Sequence, residues 1–132
     1  LSEIANAVGA VQGTAIVSDA ESIAAGLKSF GDVDVIMELI DLFLQDAPEK
    51  ILEARESING EGYNGIREAA HSLKGSARNL RAERLADVCE LLEKGAQKGF
   101  KLSTVEQNLN RVEEELKKVI HVLNNYKKDL AD

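Results

Sequence analysis

The strongest constraint on this fold is a run of apolar residues late in the chain. Val105, Leu109, Val112, Leu116, Val119, Leu123, Tyr126 and Leu130 follow one another at alternating steps of four and three. Steps of that size return to one side of an α-helix, whereas a strand would scatter them over both faces. A long helix with a single apolar stripe gains its stability by laying that stripe against other helices. Comparable stripes precede it: Ile36, Ile40, Phe43, Ala47, Ile51, Ala54 and Ile58; then Ile66, Ala70, Leu73, Ala77 and Leu80; then Leu85, Val88, Leu92 and Ala96. Short links between long amphipathic helices make antiparallel neighbours. The expected fold is therefore all-α, an antiparallel up-and-down four-helix bundle with a short additional helix on its N-terminal side, from about Asp19 to Ser29.

Local signals place the ends of these helices. Ser18 with Glu21, and Ser103 with Glu106, have the S-x-x-E spacing of a capping box. Asp32 or Asp34 can open the second helix, and Pro48 inside its stripe predicts a kink, because the pattern continues beyond it. The run Asn59-Gly60-Glu61-Gly62 ends that helix, and Gly99 ends the fourth. Gly9 and Gly13 interrupt residues 1–17, which read as an N-terminal extension or linker remnant, leaving 18–132 as the bundle domain. The first residue, Leu1, suggests a chain cut or processed from a longer polypeptide.

At 132 residues the chain suits a single core, and it shows no repeat period. Sixteen basic and 23 acidic residues give a net charge of −7, which argues against broad binding to nucleic acid or anionic lipid. The single cysteine, Cys89, precludes an internal disulfide and reads as a small buried residue. With no transmembrane-length apolar run and no secretory signal, the expected location is cytoplasmic, without membrane contact by this domain.

One stretch breaks the pattern. Ala69-Ala70-His71-Ser72-Leu73-Lys74-Gly75-Ser76-Ala77-Arg78-Asn79-Leu80 sits within a helical stripe yet contains a glycine, which costs about 1 kcal/mol relative to alanine in a helix interior. On a helical wheel with Ile66 at zero, His71 falls at roughly 140°, flanked by Lys74 near ~80°, Arg67 near ~100° and Arg78 near ~120°, with Gly75 near ~180°. This predicts an outward-facing imidazole among three cations, a local anion site on an acidic protein. Gly75, one turn beyond His71, leaves open surface through which another molecule could approach. An imidazole titrates near neutrality, so a neutral ring can offer nitrogen as a nucleophile toward phosphorus, and the cations can hold the resulting negative charge.

The run AHSLKGSARNL, with ELIDLFLQDAPEKI before it and LADVCELLE after it, resembles the histidine-containing phosphotransfer (HPt) domains of multistep two-component phosphorelays, over roughly Asp19 to Leu130. The resemblance implies that His71 is the phosphoacceptor, Lys74 supports the phosphoryl group and Gly75 gives receiver domains access, with Arg78 and Arg67 as further electrostatic support. It implies, as partners, receiver domains of response regulators or hybrid histidine kinases, a monomeric state, and no cofactor in this domain, Mg2+ belonging to the partner receiver. Arg81 departs from the pattern, since family members often carry glycine there; either the turn is shaped differently or Arg81 adds to the docking surface. No nucleotide-binding glycine loop is present, so the chain should relay phosphoryl groups without an ATP site of its own. No second histidine stands at i+4 from His71 and no H-E-x-x-H occurs, so nothing points to zinc. His121 and the charged run Glu113-Glu114-Glu115, Lys117-Lys118 read as structural or solvated features. A second reading, a non-catalytic helical docking or dimerisation module, rests on the heptad spacing of the last helix.

Overall fold

A computed structural model describes residues 19–60 and 62–132. The expectations for residues 1–17 and for the Ser18–Glu21 box fall wholly or partly outside these. Within the described residues the chain is helical between short links: α1 (19–28), α2 (Val33–Ile58), α3 (Asn64–Asn79), α4 (Glu83–Lys98) and α5 (Leu102–Ala131). α2 packs on α3, α3 on α4, α4 on α5 and α5 back on α2, closing a ring of four antiparallel helices. The most extensive pairing is that of α3 with α4.

The stripes read from the sequence form the core. Ile36, Ile40, Phe43, Ala47, Ile51 and Ala54 of α2 meet Ile66, Ala69, Ala70, Leu73 and Ala77 of α3, Leu85, Val88, Cys89 and Leu92 of α4, and Val105 through Leu123 of α5. Leu109 and Leu123 are fully buried. The α5 stripe from Val105 to Leu123 is thus consumed within the bundle. Alanines at 69, 70 and 77 let α4 approach α3 closely, which places the outward side chains of the two helices within reach of one another.

Asp32 caps α2, its Oδ1 accepting from the backbone of Asp34 at 2.8 Å and of Val35 at 3.3 Å. α2 runs on through Pro48 to Ile58. Gly99 ends α4 in the left-handed conformation, φ 70° and ψ 40°, as its position predicted. The second capping box is not formed: α5 begins at Leu102 with Lys101 as its cap residue and no side-chain cap bond, so Ser103 lies inside the first turn. The charged run in α5 also departs from a plain solvated face. Glu115 is largely buried beside Lys118, at 3.2 Å, and Arg84, at 3.5 Å, while Glu113 receives Arg55 at 2.6 Å.

α1 inserts Ile23 and Leu27 into the core at the end of the bundle where α3 turns into α4. Its Asp19 joins Arg84, Glu115 and Lys118 around a small cleft. Burial raises the Asp19 carboxyl above its ordinary range, against the pull of Arg84.

Candidate functional site

His71 sits midway along α3 on the side opposite the core, its side chain 67% exposed, as the wheel predicted. What holds it comes from the neighbouring helix. Glu93 of α4, one residue past the buried Leu92, places Oε2 2.8 Å from His71 Nδ1 and Oε1 2.6 Å from Lys74 Nζ. The Glu93 and Lys74 side chains are each only 15% exposed. Burial pushes the Glu93 carboxyl up, but Lys74 and His71 outweigh it and hold the group below the ordinary carboxylate range, so it is ionised at neutral pH. The approach of Lys74 to Oε1 is an ion pair rather than a well-directed hydrogen bond, and Oε1 has no other partner.

An ionised carboxylate can only accept, so the contact with Oε2 requires the proton on Nδ1. In the neutral ring the lone pair then lies on Nε2. A carboxylate behind one ring nitrogen fixes both the tautomer and the orientation of the other.

The cations suggested by the wheel do share this face, yet each has a local partner. Lys74 is paired with Glu93, Arg78 NH2 lies 3.6 Å from Glu90 Oε1, and Arg67 donates to Asn64 Oδ1 at 2.9 Å. The expected ring of free positive charge is therefore tempered by two carboxylates of α4. Gly75 is exposed, and a methyl group built there meets nothing within 4 Å. Beside it, Leu39, Leu42, Phe43, Asp46, Ser76, Asn79 and Leu80 line a groove of about 310 Å³ between α2 and α3. Leu42 is conspicuously exposed along this groove.

Cys89 is fully buried. Burial pushes its thiol up to about 12, with Lys74 lowering and Glu93 raising it, so it is an inert core residue at neutral pH. His121 lies exposed on α5 next to Asn125, at 3.2 Å, with no carboxylate behind it. Among the described residues no cluster of three or more His, Cys, Asp or Glu side chains could hold a metal ion, and no helix is long and apolar enough to cross a membrane.

Arg81, the departure from the family pattern, has φ 60° and so occupies the left-handed region where glycine is usual. Arg81 N–H donates to the Arg78 carbonyl at 3.0 Å and Ala82 N–H to the Ala77 carbonyl at 2.8 Å. The turn thus keeps the shape a glycine would give it. Glu93 is the residue that sequence reasoning missed.

The ring of four antiparallel helices thus carries an exposed histidine at mid-helix with a carboxylate behind it. Residues 38–125 match the Hpt domain family, and the chain belongs to it. Hpt domains are phosphotransfer intermediates of two-component phosphorelays, not kinases. No curated protein and no solved structure matches the chain.

Proposed function

We propose that this chain relays phosphoryl groups on His71, accepting them from the phosphoaspartate of one receiver domain and passing them to the aspartate of another. The observation that carries this reading is the contact of His71 Nδ1 with Glu93, which leaves Nε2 as an exposed nucleophile of fixed direction. In the forward step the Nε2 lone pair attacks phosphorus, an N–P bond forms, and the P–O bond to the receiver's aspartate breaks, with the electron pair leaving on the carboxylate. The ring gains positive charge as it reacts. Glu93, accepting the hydrogen bond from Nδ1–H, stabilises that charge while the proton stays on the ring. Lys74, paired with the same carboxylate, would meet the phosphoryl oxygens, and Arg67 and Arg78 would add positive potential at longer range.

Access supports the same reading. Gly75 adds no side chain one turn beyond the imidazole, and the groove between α2 and α3 gives a docking receiver apolar surface with Leu42 at its edge. The receiver supplies its own Mg2+, and the relay domain needs no cofactor.

The test is incubation with a phosphorylated receiver domain followed by detection of acid-labile, base-stable phosphate on this chain. Wild type should label. His71→Gln should not, while its melting curve stays within about 0.5 kcal/mol of wild type because the position is exposed. Undiminished labelling of that variant would overturn the assignment.

A further inference from the structure

We propose that α1, which lies outside the 38–125 family match, is a clasp on the α3–α4 turn that sets the contact between Glu93 and His71. Asp19, Ser22, Gly26 and Arg81 are then positioning residues that act through the turn. The functional consequence, though not the structural one, rests on the reading of His71 as phosphoacceptor.

Three contacts make the clasp, all from one face of α1, at positions 19, 22 and 26. Ser22 Oγ donates to the Arg81 carbonyl at 3.0 Å. Asp19 stands beside Arg84 in the first turn of α4, the two lining one small cleft, where the cap residue Ala82 has no side-chain acceptor to offer. Gly26 lies beneath the Arg81 stem: a methyl group built at 26 would stand 3.0 Å from Arg81 Cδ and 3.2 Å from Cγ. Gly26 and Arg81 are thus a matched pair. A glycine at 81 would suit the left-handed turn better, but the arginine gives α1 a stem to close over, and α1 leaves room for it. Ile23 and Leu27, fully buried beside this face, anchor the helix while it grips both arms of the hairpin.

The grip matters at His71 because α3 and α4 are rigid arms leaving the turn. His71 lies ten residues before Arg81 and Glu93 twelve after it, a lever of roughly 15 Å at 1.5 Å per residue. A change of about 5° in the angle between the arms moves the two side chains apart by about 1 Å over that lever. A contact of 2.8 Å lengthened by that much is no longer a hydrogen bond. The ring would then lose its reason to keep the proton on Nδ1.

The experiment uses the 132-residue chain as wild type, Gly26→Leu, Gly26→Leu with Arg81→Gly, and Ser22→Ala. Nitrogen-15 NMR of the His71 ring reports the tautomer without any receiver, backbone amide signals of residues 19–28 report whether α1 is seated, and transfer from a phosphorylated receiver reports function. Gly26→Leu should shift the α1 signals, move the His71 ring from the Nδ1–H form toward the mixture of a free imidazole, and slow transfer at least threefold. Arg81→Gly in that background removes the colliding stem and should return both tautomer and transfer to within twofold of wild type. Ser22→Ala should move the tautomer the same way by a smaller amount, and it carries the test if Gly26→Leu does not fold. Unchanged α1 signals in Gly26→Leu, displaced α1 with an unchanged His71 tautomer, failure of the second substitution to rescue, or an unmoved tautomer in Ser22→Ala would each overturn the proposal. A tautomer that shifts in a chain whose wild type accepts no phosphate would leave the clasp standing and remove the relay reading instead.

Discussion

α5 and α3 face the same core from opposite quarters of the bundle, and they are built on opposite terms. α5 runs 30 residues, and its stripe from Val105 to Leu123 is buried. α3 has 16 residues, two glycines, an uncapped start at Tyr63 and a buried face made largely of alanine. The apolar stripe of α5 from Val105 to Leu123 serves packing. In α3 the choices that weaken the helix lie mainly on its outer side, where His71, Gly75 and Arg78 are exposed. A position that costs helix stability and gains nothing in packing is where function is to be sought.

The largest effect that could break this contrast is in α5. Leu109→Ala should cost about 2–5 kcal/mol, read from thermal or denaturant unfolding, because a fully buried leucine loses its contacts and leaves a cavity. Its His71 tautomer should stay that of wild type below the melting temperature. A loss under about 0.5 kcal/mol would mean that α5 is not the structural partner it is taken to be.

Next in size is Glu93. Replacing it by Gln keeps the shape but exchanges a charge-assisted hydrogen bond for a neutral one, so receiver-to-His71 transfer should fall roughly fivefold to tenfold. Equal rates at saturating receiver would remove Glu93 from the mechanism. The same residue predicts a pH dependence. Its carboxyl is depressed in the folded state, so the stability it contributes is fully present above the ordinary carboxylate value and is lost as pH falls through the depressed one. The melting advantage of wild type over Glu93→Gln, measured at pH 7 and again at pH 3, should therefore shrink in acid. An advantage that grew would reverse the assigned sign.

The smallest effect sharpens the comparison on α3 itself. Gly75→Ala should stabilise the fold by up to ~1 kcal/mol, since nothing stands near the added methyl, and should leave transfer within about twofold. Gly75→Gln should melt like a folded bundle yet transfer more slowly. Wild-type transfer by the Gln variant would show that the open surface at 75 is not an access route.

These helices also differ in how much of them could be read beforehand. The period of α5, the Asp32 cap and the Gly99 stop follow from local rules, and the structure places them accordingly. The capping box at Ser103 failed because the helix already starts at Leu102, one residue before that serine, with Lys101 as its cap, a shift in the boundary that local pattern does not decide. The outward direction of His71 and Gly75 was legible from the wheel. Glu93 was not: its meeting with His71 depends on the register of the α3–α4 hairpin, which is fixed by the left-handed Arg81 and by side chains of α1 far off in sequence. The wheel likewise showed three cations sharing a face but not the two α4 carboxylates that pair with Lys74 and Arg78.

The central claim concerns one nitrogen atom. Ring-labelled protein can be phosphorylated by a receiver and its His71 signals followed by nitrogen-15 and phosphorus-31 NMR, which identify the ring nitrogen bonded to phosphorus. The geometry predicts phosphorus on Nε2, with Nδ1 still protonated against Glu93. Phosphorus on Nδ1, or on His121 with His71 unmodified, would contradict it.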